Sequence, residues 1–154
     1  MPQVNLNLDI SIWEKIDNIL REKDWNKIKF NYDSRDFVPK KKGVYIISLS
    51  SSKISKFKPF SKFETPVYVG HSNNLRTRFI DHTHKNESGI YRIHLHDFRN
   101  YTSFWYLELD NSSITQLKEY EQSLINLFGT VLNKINSISD DKIKIKSLKE
   151  TEDD

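Results

Sequence analysis

The chain has 154 residues, 36% of them hydrophobic and 12% aromatic, and it contains no cysteine. That length fits one domain with at most one appended element, and the missing cysteine excludes disulfides and thiolate metal sites. The net charge is +3, and four acids lie in the last five residues, ETEDD, so the body is more basic than the whole; such a balance favours a polyanionic partner.

No apolar run approaches the ~18 residues of a membrane span, so no membrane partner is expected. The opening MPQVNLNLDI has neither the basic n-region nor the apolar h-region of a signal peptide, and a cytoplasmic location is expected.

Residues 9–29 read as an amphipathic helix. Ser11 with Glu14 fits a capping box, and Ile12, Ile16, Ile19 and Leu20 make an apolar stripe. The stripe would pack on the domain or on a second subunit. Residues 30–42 read as an irregular connection ending in three lysines. Gly43 to Leu49, GVYIISL, is a strand whose unbroken apolar run marks it as buried.

The stretch SSSKISKFKPFSKFETP follows, with Lys53, Lys56, Lys58 and Lys62 interleaved with Phe57, Phe60 and Phe63. Loops this long inside a domain are usually functional or disordered. Its lysines suit phosphates and its phenylalanines can pack or wedge against bases. A hairpin tip folded on its own aromatics fits equally well.

Val67 to His84, VYVGHSNNLRTRFIDHTH, reads as a strand, a break at Gly70 and a helix capped by Ser72, Asn73 or Asn74. On that helix Leu75 and Phe79 share a face, and Arg78 and His82 lie four apart beside it. Tyr68, Arg78 and His82 would then share a rim suited to a phosphate, although a plain surface helix accounts for the same pattern. Residues 88–100 suit a short helix. Thr102 to Leu109 is a third strand. Ser113 with Gln116 opens a helix that runs to about Phe128 and stops at Gly129. Beyond Asn133 the chain turns polar.

On this last helix Ile114, Leu117, Leu124, Ile125 and Phe128 form an apolar stripe, at ~100° per residue, with Glu121 in its middle and Glu119 opposite. A carboxylate there needs a compensating metal ion, arginine or hydroxyl. Either a structural ion pair or a metal-binding carboxylate at a cleft fits. His82, His84, His94 and His96 form two HxH pairs, but i and i+2 on a helix face different ways, which disfavours zinc.

Taken in order, these pieces resemble the GIY-YIG nucleases. GVY (Gly43, Val44, Tyr45) stands for the first motif and YVG (Tyr68, Val69, Gly70) for the second. Asn74, Leu75 and Arg78 match the NLxxR stretch, His82 falls where many members have histidine, Glu121 matches the metal-binding glutamate, and Asn133 matches an asparagine twelve residues on. The resemblance covers roughly residues 43–133. Departures are the long connection between the two tyrosines and Thr130 in place of a proline. The string Gly89, Ile90, Tyr91 is a decoy that follows YVG.

The resemblance implies an α+β fold: a small three-stranded antiparallel sheet flanked by helices, here with an extra N-terminal helix. The expected division is 1–42 for helix and connection, 43–136 for the nuclease domain and 137–154 for a polar, acidic tail. It also implies a metal-dependent DNA endonuclease using Mg²⁺ or Mn²⁺ at Glu121. Tyr45 would orient or deprotonate the water, Arg78 would grip the phosphate, and Tyr68, His82 and Asn133 would complete the site. Lys41 or Lys42 would lower the cost of ionising Tyr45, and both, with Lys53, Lys56, Lys58 and Lys62, would contact double-stranded DNA.

A small restriction enzyme acting as a homodimer is the first expectation, since the length leaves no room for a separate DNA-binding domain. A standalone repair, structure-selective or mobile-element nuclease is the second. A non-catalytic nucleic-acid-binding module is the alternative from another class.

Overall fold

Gly43 to Ser48 are all buried, because the strand they form is covered on both faces. In the computed structural model, which describes residues 11, 14, 23–50, 64–83, 99–130 and 132–133, this strand lies inside a four-stranded antiparallel sheet. The strands are β1 (Asn26–Lys29), β2 (Gly43–Ser50), β3 (Glu64–Ser72) and β4 (Thr102–Glu108), in the order β1-β4-β2-β3. The helices are α1 (Leu75–Thr83) and α2 (Ile114–Phe128), with short 3-10 turns at Tyr32–Phe37 and Arg99–Tyr101.

The period-2 alternation of β2 divides the core in two. Tyr45 and Ile47 join Phe30, Val38, Tyr68, Leu75, Phe79 and Phe104 on the α1 face. Val44 and Ile46 join Val69, Leu107, Leu117 and Leu124 on the α2 face.

Three expectations change. The sheet has four strands, not three. Residues 26–29, expected at the end of an N-terminal helix, form β1 and pair with Tyr106 to Ser103 of β4. NKIK turns only Ile28 partly inward, and its two lysines are what keep an edge strand from pairing further. Of the helix expected over residues 9–29, Ser11 and Glu14 have helical backbone, residues 23–25 do not, and the remaining residues before 26 lie outside the described ones.

The strand also does not break at Gly70; it runs on to Ser72, with Gly70 paired to Tyr45. A Cβ on Gly70 would stand 2.2 Å from the Tyr45 hydroxyl. Glycine is there to let the Tyr45 ring lie across the strand, not to turn the chain. The short helix expected over residues 88–100 and the tail from 137 lie outside the described residues, apart from the 3-10 turn at 99–101.

Where sequence signals were explicit, the helices follow them. Asn74 caps α1 by accepting from Thr77 N at 3.1 Å. Ser113 and Gln116 form the reciprocal capping box of α2, and Gly129, at φ 57°, closes it in the left-handed conformation. The first amides of α1 donate to the chain before β2: Leu75 N to Lys41 O at 2.9 Å and Arg76 N to Pro39 O at 3.1 Å. The apolar stripe of α2 is buried only in its middle, at Leu117 and Leu124, while Ile114 and Phe128 are exposed at its ends.

Candidate active site

The Tyr45 hydroxyl is the hub of the α1 face. It stands 2.8 Å from His82 Nε2 and 3.4 Å from Arg78 Nε, which donates to it. One turn of α1 separates Arg78 from His82, so a single helix brings both to β2. Tyr68 completes the cluster, its ring edge-on to His82 at 5.5 Å and tilted against Tyr45 at 6.1 Å. Phe104 stacks on the other side of Tyr45 at 5.0 Å.

Burial grades these residues by accessibility. Tyr45 and His82 are 1% and 2% exposed. The Arg78 side chain is 38% exposed, with Asp81 at 3.7 Å. Arg78 is therefore the part of the cluster a phosphate can reach, and Tyr45 and His82 stand behind it. Arg76, two residues earlier, is committed to structure: its Nε donates to Val38 O at 2.7 Å and its Nη2 to Asp36 O at 3.0 Å.

Glu121 stands on the other face of the sheet. Its Oε2 contacts Nδ1 of His71, with side chains 22% and 28% exposed respectively. His71 pairs with Val44 and so shares the α2 face. One peptide away, Gly70 faces Tyr45. The two clusters thus meet β3, an edge strand, from opposite faces at adjacent residues, Gly70 and His71. His71 was not foreseen. Its signal was the parity it shares with Val69, hidden by ending the strand at Gly70. A carboxylate and an imidazole, both part-exposed, are donors that a divalent cation accepts, so these residues fit the ion the resemblance implies.

Asn133 holds the backbone of β3. It accepts from Val69 N and donates to Val69 O, both at 2.8 Å, and accepts from Thr130 Oγ1 at 2.6 Å. Its amide satisfies the free edge of the strand as a neighbouring strand would. Thr130, the departure noted above, supplies a hydroxyl that proline lacks.

Lys41 bonds Glu108 at 2.9 Å and lies 3.7 Å from Asp110. The Glu108 bond and charge, with Asp110, hold its ammonium above the usual lysine range. Lys42 donates to Ser112 O at 3.1 Å. Lys53, Lys56, Lys58 and Lys62 lie outside the described residues, as do His84, His94 and His96.

An antiparallel hairpin that carries a tyrosine on each strand, followed by a helix bearing arginine and histidine and by a glutamate helix, is the framework of a phosphodiester-cleaving domain. Residues 41–136 match the GIY-YIG catalytic domain, and the chain belongs to the GIY-YIG family. No curated protein matches it. Membership implies a nuclease acting on DNA by hydrolysing phosphodiester bonds, in a family whose members are generally metal-dependent. No described helix is long and apolar enough to cross a membrane.

Proposed function

We propose that the protein is a metal-dependent, restriction-type endonuclease that cuts double-stranded DNA as a homodimer, with Mg²⁺ or Mn²⁺ at Glu121. The observation that carries the reading is the Arg78–Tyr45–His82 chain on one face of β3, with Glu121 across the strand edge.

Arg78 offers a planar fork of donors to the phosphate oxygens, where charge grows as water attacks. Its Nε bond to Tyr45 fixes the angle of that fork. The Tyr45 oxygen lies between a cation and an imidazole. It can pass its proton to His82 Nε2 and, once substrate binding at Arg78 opens a path to its buried hydroxyl, take one from the attacking water in turn. Tyr68 packs against both rings and keeps them aligned. A divalent ion, when bound, supplies Lewis-acid polarisation of a phosphate oxygen. Glu121 would hold it, and Asn133 would keep β3 in register for both clusters.

The restriction reading is supported by the long basic insertion between β2 and β3 and by the basic body of the chain. Plasmid cleavage with added Mg²⁺ or Mn²⁺ tests it. The expected result is sequence-specific double-strand cuts, lost in Arg78→Ala with DNA binding retained. Cuts confined to branched or nicked substrates would favour a structure-selective role. No cleavage with any divalent ion, alongside tight binding, would leave a non-catalytic DNA-binding module.

A further inference from the structure

Glu121 meets an imidazole, not a lysine or arginine: among the described residues the side chain its carboxylate contacts is that of His71. The two groups come from different rigid elements. His71 sits on β3, hydrogen-bonded in register to β2 as far as Ser72. Glu121 sits mid-helix, between the fully buried Leu117 and Leu124 that anchor α2 to the sheet. Packing therefore aims one nitrogen and one carboxylate oxygen at the same point, and both side chains remain partly open to solvent.

Building on the reading of Glu121 as a metal ligand, we infer that His71 Nδ1 is a second ligand, and that this mixed nitrogen–oxygen site selects Mn²⁺ over Mg²⁺. Mg²⁺ is a hard ion that prefers oxygen ligands and water. Imidazole suits the first-row transition ions, whose affinities for such sites rise from Mn²⁺ upward. The two groups already meet and both are partly open to solvent, so one ion could take a nitrogen from His71 and an oxygen from Glu121. His71 then sets which metal the carboxylate holds, while the Arg78–Tyr45–His82 cluster on the other face is unaffected.

The test is metal binding to the DNA-free, full-length protein, read by loss of the free Mn²⁺ signal in electron paramagnetic resonance, with Mg²⁺ as competitor. The wild type is expected to bind Mn²⁺ at least about tenfold more tightly than Mg²⁺. Pulsed measurements should show nitrogen coupling to the bound Mn²⁺.

His71→Ala should weaken Mn²⁺ binding by about tenfold or more, since even groups one bond removed from the metal are worth 10–100-fold, and should abolish the nitrogen coupling. His71→Asp should restore binding and shift the preference toward Mg²⁺. Nitrogen coupling that survives His71→Ala, or tighter Mn²⁺ binding in that variant, would overturn the inference and leave His71 a counter-ion. Glu121→Gln should release both metals. If it binds Mn²⁺ as the wild type does, the Glu121 assignment itself fails and this inference falls with it; if only the His71 variants are silent, the Glu121 assignment stands alone.

Discussion

Two carboxylates lie on the α2 face of the sheet, one at each end of β3, and they are almost equally exposed: Glu64 at 20% and Glu121 at 22%. Their surroundings differ. Glu64 is saturated. It accepts from Ser48 Oγ at 2.7 Å and from Trp105 Nε1 at 2.9 Å, and its other oxygen is paired with Lys27, whose ammonium also lies 5.1 Å over the Trp105 ring. Burial alone would push the Glu64 carboxyl upward, but these three donors outweigh it and hold the group below its ordinary value. Among the described residues, Glu121 has a single imidazole.

The contrast separates a carboxylate whose oxygens are all engaged by distant donors from one with fewer partners, a distinction that exposure by itself does not make. The saturated end also borders a cavity of about 300 Å³ lined by Trp25, Ile46, Pro66, Trp105 and Phe128.

The sharpest test of this contrast exchanges each glutamate for its neutral isostere. Glu121→Gln should reduce cleavage by about 10³-fold or more, as expected when several kcal/mol of metal-borne transition-state stabilisation is lost. DNA binding should persist, and the melting temperature should not fall, because a charge with one partner is removed. Glu119→Gln, on the exposed side of α2, should cut normally. Wild-type cleavage by Glu121→Gln would erase the contrast.

Next in size is Asn133→Ala. It strips both partners from Val69, whose residue is fully buried. At about 1–3 kcal/mol per unsatisfied group, denaturant unfolding should show a loss of roughly 2–6 kcal/mol. Faster hydrogen exchange at the Val69 amide would localise it.

Glu64→Gln should cost about 1–3 kcal/mol at neutral pH, from weakened charge-assisted bonds, with cleavage unchanged. Its folded value lies below the ordinary 4.5. The stability it adds is therefore present above about 4.5 and disappears as pH falls through the lower folded value. The gap between wild type and variant should close on acidification; a gap independent of pH would mean that packing, not charge, is what Glu64 contributes.

The smallest expected effect concerns the basic insertion. Replacing Lys53, Lys56, Lys58 and Lys62 by alanine should weaken DNA binding and flatten its salt dependence by up to about four units of slope, without moving the metal affinity of Glu121. An unchanged slope would make the insertion a bystander.

Much of this was legible in the order of residues. The two motif strands, the capped helices at Asn74 and Ser113, the stop at Gly129 and the i,i+4 pairing of Arg78 with His82 are local signals. They depend on spacing and side-chain type within a few residues, so sequence alone determines them. Glu121 stood out for the same reason, as a charge at a position whose helical neighbours are apolar.

What the sequence could not show is long-range. β1 is four mostly polar residues, and only β4 makes them a strand. Glu64 looked like loop, because Lys27, Ser48 and Trp105 reach it from 16 to 41 positions away. His71 gained its partner only when α2, 50 residues later, was laid on the other face of β3. Local propensity is written into a stretch of chain; the neutralisation of a partly buried charge depends on which distant groups the packed sheet brings within hydrogen-bonding reach, and that is settled only by tertiary structure.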